Sequence, residues 1–574
     1  MTTSRSKAAL EKIAWGIPHS RMVAALLIVH ALLALGSMRH TSLTWDEPSY
    51  IGVGRQFIET RNPEIVALQL HPPLSYYLNS LPLFFLELDR ARFANEDYIY
   101  HHYIGPSLVF NSGYSPDTIL FLVRLPFVVV SVLLGLLIWV WSKQVFGERG
   151  GTLALFFYAL SPTVLAHCRL ATADTLVAFT ITLTLYSLFR WLQERKSKWV
   201  LLTGGALGLA LLSKFSALML IPIIPFVLGG DWLKKADDSE GLSFINRLVG
   251  LFSVFAVAAI VVWAGYGFQV ITPFMPHWLK PEAGRLISEK PFWAAVDMLA
   301  GRGVRVPVYS YVLGIYTQLA AARGWKDNFL FGHISSGGWW YFYWAAFLIK
   351  TPLPFIACLG AAIFMKGAGG RSRDERFLLL SIAPMIVFFS LPTRINIGLR
   401  YILPLCPLFF IFTGKAARVE SRKWKWTLAL LCLWYAGAAG WVYPHYLAYF
   451  NELVGGPANG YKYLVDSNLD WGQGLGDLSQ YLKEEGIRNA RIKYFGPSGV
   501  MEHYGLRNAD LNDCEPSAGV WVVSATYLQN LYLTNRHCHD WLRGLRPKKI
   551  IGYSIFIYEV SGEDLTRGIP RSSG

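Results

Sequence analysis

Apolar residues gather into eleven stretches, near 22–39, 119–141, 150–167, 175–193, 199–213, 215–230, 248–268, 338–364, 377–391, 399–413 and 425–443. Several reach the roughly 18 residues that a spanning helix needs. The gaps between them differ in character. Residues 190–198 (RWLQERKSK), 366–376 (KGAGGRSRDER) and 415–425 (KAARVESRKWK) are short and basic, as are loops that stay on the cytoplasmic side. The block 199–230 is interrupted only by Lys214. As one helix it would run about 48 Å, too long for a hydrocarbon core of about 30 Å. It is therefore expected to cross twice, with Lys214 at the far turn. The same reasoning makes 150–193 a hairpin turning at AHCRLATAD.

The pattern predicts an all-α polytopic membrane protein of about eleven transmembrane helices, with the N-terminus cytoplasmic and the C-terminus outside. Residues 1–443 form the membrane part, with large external loops at 40–118 and 269–337. Residues 444–574 are more polar and are expected to form a small extracytoplasmic α/β domain. ARIKYFG, GVWVVSATYL and KKIIGYSIFIYEV read as strands, and GLGDLSQYLKEEG reads as a helix.

Composition agrees with this outline. The chain of 574 residues is 53% hydrophobic and only 16% charged, which suits a membrane protein. The net charge of +15 would suit a nucleic-acid binder, but the basic residues lie in the short gaps and no nucleic-acid motif accompanies them. The first apolar stretch has no convincing small-residue cleavage site and is expected to be a retained helix. Cys168, Cys358, Cys406 and Cys432 lie in or near apolar runs. Cys514 and Cys538 fall in the polar C-terminal part, where a disulfide between them is a candidate if that part lies outside the cytoplasm.

The topology places an uncommon set of charges at the outer helix ends. Asp46 and Glu47 open the first loop, and Arg124 begins the second helix. Arg169 and Asp174 share one turn, Lys214 occupies another, and Arg394 and Arg400 flank the tenth helix. A charge at one helix end is ordinarily solvated flank, but ionisable groups gathered at membrane depth are costly and tend to be functional. A carboxylate can take the proton of an attacking hydroxyl, and cations can hold a departing phosphate.

The motifs TWDEPSY, LQLHPPLSYYL, VRLPFVVVSVLLG, LATADTLVAF and LGLALLSKFSAL occur in this order. Together the chain resembles the GT-C membrane glycosyltransferases, in particular the protein O-mannosyltransferases and lipid A aminoarabinose transferases. The stretches INIGLRYILPLCPLF and PHYLAYFNELVGGPANGYKYLVDSNLDWGQGL look like a bacterial phospholipid-carrier-dependent subgroup. The resemblance implies a GT-C fold and an inverting transfer of a hexose or pentose from a polyprenyl-phosphate carrier, on the outer face of a bacterial inner membrane. Asp46 matches the family's catalytic acid, Glu47 its neighbour and Asp174 its second acid. Arg124 matches an arginine associated with donor phosphate; Lys214, Arg400, His71 and Arg169 are further phosphate candidates. Ser75 and Tyr76 depart from the mannosyltransferase pattern after HPPL, so those enzymes' substrates do not transfer.

The acceptor, whether protein, lipid or glycan, stays open, as does a divalent cation held by the acids; no metal ligand is assigned. A polyprenyl-phosphate-sugar flippase or a non-catalytic lipid-binding subunit is the alternative. DSNLDWGQGLGD has acidic spacing like a calcium loop, but Trp471 stands where such a loop needs glycine, and an Asx-rich structural turn is preferred. The spacing of Gly472, Gly474 and Gly476 is wrong for a nucleotide loop. A metal site at His101 and His102 with Glu96 and Asp97 is a weaker candidate than a polar interfacial face.

Overall fold

A computed structural model describes residues 19–567 apart from 63–64, 66–70, 89–100, 233–242, 275–289, 325–326, 366–371, 392–393 and 498. Glu96 and Asp97 lie outside the described residues, as do the side chains of His101 and His102.

Each apolar stretch is helical, and the protein is a mostly helical, multi-pass membrane protein with a small C-terminal sheet. Five helices are long and apolar enough to cross a membrane: His19–Met38, Pro116–Ala159, Ala173–Glu194, Phe244–Gly265 and Leu399–Arg418. Phe342–Lys350 and Leu353–Phe364 make a sixth if counted together, although they meet at 114°. The expected straight span over 338–364 is therefore wrong in shape, and the break falls immediately before Pro352, which cannot continue a helix hydrogen-bond ladder. Two further expected spans appear as Arg373–Ser390 and Arg422–Trp441. Ser197–Ser213 is shorter and ends at Lys214, whose extended backbone breaks the run into the helix Leu220–Trp232. The continuous run Pro116–Ala159 is two helices, hinged at Gly147 with φ 84°. A residue with a Cβ would resist that conformation.

The charged gaps meet as the topology requires. Arg149 pairs with Glu420, Gln193 donates to Asp374, and buried Lys415 pairs with Glu375. These contacts gather the basic gaps at one end of the helices. Ala173–Glu194 has 22 residues, about 33 Å at ~1.5 Å per residue, so its first turn lies at the opposite end.

After residue 443 the chain first runs as a strap of short turns, then forms a four-stranded sheet. Ala490–Lys493 pairs parallel with Gly519–Ser524, which pairs antiparallel with Ile555–Val560, and Lys549–Ile551 forms the other edge. The expected single strand over 548–560 is thus a hairpin. The helix Leu475–Glu484 packs on this sheet, and Cys514 and Cys538 are disulfide-bonded.

This α/β part shares its core with the membrane part. Leu475, Leu478 and Ile557 lie in one apolar cluster with Ile119, Val123 and Phe127 of the helix that follows the first loop. The strap is also bound from below: Lys350 donates to the carbonyls of Leu447, Tyr449 and Asn468 at 2.9, 2.9 and 2.6 Å.

The loop 466–474 is the keystone of this docking, and its acidic residues serve as hydrogen-bond acceptors within the protein. Asp466 accepts from the Tyr532 hydroxyl, and Asp470 Oδ2 accepts from the Thr526 amide at 2.9 Å. Burial raises the pKa of Asp470 to about 7. The folded state therefore holds this proton more tightly than the unfolded chain, and stability declines as pH rises from the ordinary carboxylate range through about 7. Asp470→Asn is expected to raise the melting temperature by about 2 °C or more at pH 8, with the gain vanishing near pH 5. Melting curves of the full-length protein in nanodiscs at the two pH values check this.

Candidate functional site

The connection between Ala173–Glu194 and Ser197–Ser213 is only two residues long. The helices run antiparallel, which returns Lys214 to the level of Asp174. Asp174 stands in the first turn of one helix and Lys214 at the C-cap of the other, each charge at the dipole end that favours it. Lys214 Nζ donates to Asp174 Oδ1 at 2.6 Å.

Arg400 joins this pair from a third direction. It lies at the start of the turn Leu399–Leu405 that leads into Cys406–Thr413. Its Nη1 donates to Asp46 Oδ2 at 2.5 Å and lies 3.6 Å from Asp174 Oδ2. Two acids and two cations thus form one contiguous cluster. The side chains of Asp174, Arg400 and Lys214 are 1, 6 and 8% exposed, whereas that of Asp46 is 24% exposed. Asp46 is the open member. Its Oδ1 accepts no hydrogen bond among the described residues.

Aromatic rings wall the cluster. Tyr401 lies beneath both cations, 4.9 Å from Lys214 Nζ and 5.5 Å from Arg400 Cζ. Trp471 stacks under the Arg400 guanidinium at 4.3 Å. His71 stacks on Tyr50 at 5.7 Å, and its buried Nδ1 has no hydrogen-bond partner among the described residues. Burial, reinforced by positive Lys214, lowers the His71 pKa to about 3, so the ring is neutral at physiological pH. It can accept or donate one hydrogen bond here, but it adds no charge for a phosphate.

Glu47 and Arg124 belong elsewhere. Consecutive residues at a helix start point to different faces, so Glu47 turns away from the side that Asp46 presents. Thr44 donates through its amide and hydroxyl to Glu47 Oε2 at 2.9 and 3.0 Å, the reach-back of a capping box. The Ala171 amide donates to Oε1 at 2.9 Å. Arg124 closes the network with Nε and Nη2 on the carboxylate at 2.7 and 2.6 Å. It also donates to the carbonyls of Thr41 and Ser42 at 2.7 and 2.9 Å. Burial disfavours the Glu47 anion, but Arg124 and these hydrogen bonds outweigh it and its pKa is lowered. With Glu47 0% and Arg124 1% exposed, the pair is a buried brace. In this structure the Arg124 guanidinium, expected at the donor phosphate, is engaged by Glu47 and the Thr41 and Ser42 carbonyls.

Arg169 is likewise turned away. It donates to the carbonyls of Ser37 and Pro444 at 2.6 and 3.0 Å and lies over the Tyr446 ring. Arg394 donates to the Arg323 carbonyl and takes no part in the cluster. Of the outer-end charges, the structure brings together Asp46, Asp174, Lys214 and Arg400, with His71 beside them. It does not bring in Glu47, Arg124, Arg169 or Arg394. The sequence reading missed Tyr50, Tyr401 and Trp471; an aromatic following Arg400 and the tryptophan in DSNLDWGQG were the available signals. Among the described residues, no three His, Cys, Asp or Glu side chains form a group able to hold a metal ion.

Residues 118–269 match the family model described as dolichyl-phosphate-mannose-protein mannosyltransferase. The matched segment contains Arg124, Asp174 and Lys214. A search of curated proteins finds no match. Among solved structures, the chain is similar to ArnT from Cupriavidus metallidurans bound to undecaprenyl phosphate. That match has 13% identity and a TM-score of 0.46, covering 94% of this chain and 98% of that one. It is similar also to the apo oligosaccharyltransferase of Archaeoglobus fulgidus, with 14% identity and a TM-score of 0.42, covering 90% and 71% of the two chains. The S. cerevisiae protein O-mannosyltransferase complex bound to its sugar donor matches over 44% of this chain and 33% of that one, with 18% identity and a TM-score of 0.33.

The brace gives a prediction separate from the site. Arg124→Met leaves the Glu47 charge buried without its partner, and is expected to destabilise the protein by about 3–5 kcal/mol. Adding Glu47→Gln removes that charge and recovers part of the loss. Melting curves of the single and double variants check both.

Proposed function

We propose that the protein is an inverting glycosyltransferase that moves a sugar from a polyprenyl-phosphate carrier to an acceptor on the extracytoplasmic side of a bacterial inner membrane. The observation that carries this reading is the Asp46–Arg400–Asp174–Lys214 cluster, in which a half-open carboxylate stands beside two buried cations at one end of the helices.

Asp46 is the base. An acceptor hydroxyl hydrogen-bonded to Oδ1 gives up its proton as its oxygen attacks the anomeric carbon from the face opposite the phosphate. The carbon–oxygen bond to the carrier breaks, and its electron pair stays on the phosphate. Arg400 and Lys214 stabilise the charge that develops there, where shielding from water strengthens each contact. Phosphate is a weak base and needs little protonation to leave, so one carboxylate serves where a glycoside hydrolase needs two. Asp174 holds Lys214 and Arg400 near each other and offsets their mutual repulsion before the donor arrives. Donor phosphate competes with Asp46 for the Arg400 N–H groups, so its arrival loosens the ion pair and frees the Asp46 carboxylate for the acceptor.

Asp46→Asn keeps the size of the side chain and removes the base. Transfer from the polyprenyl-phosphate sugar is expected to fall by about 10²-fold or more, and a cooperative melting curve checks that the variant is folded. Carrier phosphate released in the presence of a cell-envelope acceptor mixture is the readout. Full activity in this variant would overturn the role of Asp46. A wild-type protein that moves the donor across the membrane and leaves the sugar–phosphate bond intact would be a flippase.

A further inference from the structure

The loop 466–474 touches both halves of the ion pair at the centre of the cluster. Asn468 Oδ1 accepts from the Leu399 amide at 2.9 Å, and its Nδ2 donates to the Ile397 carbonyl at 3.0 Å. Ser467 Oγ donates to the same carbonyl at 2.9 Å. A Cβ on Gly398 would meet Ser467 Oγ at 2.4 Å, so the two segments approach this closely only because residue 398 is glycine. Arg400 is thereby set from the residues just before it.

The other end of the loop sets Asp46. The Trp471 carbonyl accepts from the Trp45 amide, and the Gln473 carbonyl accepts from the Ser42 amide, both at 2.9 Å. The Gly476 amide donates to Ser42 Oγ at 2.8 Å. Gln473 stiffens the turn itself, with Oε1 accepting from the Trp471 amide at 2.7 Å and Nε2 donating to the Leu469 carbonyl at 2.7 Å. The Trp45 ring stacks on Phe495 of the α/β part at 4.8 Å and 7°.

Between these anchors lies the Trp471 ring, 1% exposed, against the guanidinium of Arg400. Stacking occupies the face of a guanidinium and leaves its N–H groups in the plane free to donate. Here one of them reaches Asp46, while the buried Nε has no partner among the described residues. A guanidinium lying over this ring, with Nε unpartnered among the described residues, holds unspent donor capacity.

From this we infer that Trp471 is a positioning residue: its ring fixes the plane of Arg400 so that the guanidinium meets a phosphate oxygen, which makes the C-terminal part a structural component of the site. The inference rests on the donor-phosphate reading of Arg400 given above. It assigns Trp471 no contact with the reacting atoms.

The test uses full-length protein in nanodiscs with undecaprenyl phosphate as the probe. Trp471→Phe keeps an aromatic face, whereas Trp471→Met fills similar space without one. Binding is expected to weaken about tenfold in Trp471→Met and to stay within about threefold of wild type in Trp471→Phe. Arg400→Met is expected to weaken binding more strongly, and adding Trp471→Met to it to cost almost nothing further, because the two act as a unit. Additive effects would overturn the inference, since they would mean that Trp471 acts without Arg400. Equal binding by wild type and Trp471→Met, alongside a loss in Arg400→Met, would overturn it as well while leaving the donor-phosphate reading intact. Failure of Arg400→Met to alter binding would instead count against that reading itself.

Discussion

Four charges, three of them buried, govern this structure. Asp174, Lys214 and Arg400 are almost wholly buried, and each would be costly to bury alone. Together with Asp46 they sum to zero formal charge, and each lies within ion-pair distance of an opposite charge. That balance requires four separate stretches of chain to end at the same depth. The helix lengths, the tight connection at 195–196 and the docked loop 466–474 all serve this requirement.

A second buried pair lies directly beside the first, and the two divide the work. Glu47 and Arg124 saturate each other and the backbone around them, leaving almost no donor or acceptor unspent. The cluster around Asp46 is built otherwise: Asp46 is part-open, Arg400 Nε and His71 Nδ1 lack partners among the described residues, and the cations rest on aromatic faces. Saturated polar networks rigidify, while unsatisfied ones stand ready to take a ligand. The sequence neighbours Asp46 and Glu47 thus belong to opposite kinds of network.

Much of this was legible from the residues. The apolar runs located the helices, and the basic gaps that were expected to share a side are joined by Arg149–Glu420 and Lys415–Glu375. The helix and strand positions in the C-terminal part were readable to within a few residues because turn residues bound them. Convergence of Asp46, Asp174, Lys214 and Arg400 followed from placing helix ends on one side. What topology does not carry is the direction of a side chain. It could not say that Arg124, at the right depth, points at Glu47, or that Arg169 turns back onto Ser37 and Pro444. Trp471 was illegible for a different reason: its partner lies 71 positions earlier, in a contact that neither periodicity nor spacing encodes.

The docking of the loop 466–474 has a consequence for how the protein is made. Asp46 is made before Arg400, which follows 354 residues later. Neither segment meets its clamp until residues beyond 466 have left the ribosome and folded. Every helix that contributes a charge to the cluster is complete by then. The order of translation therefore keeps the nascent chain without a finished site until the loop 466–474 docks, and that docking becomes the step that matures it.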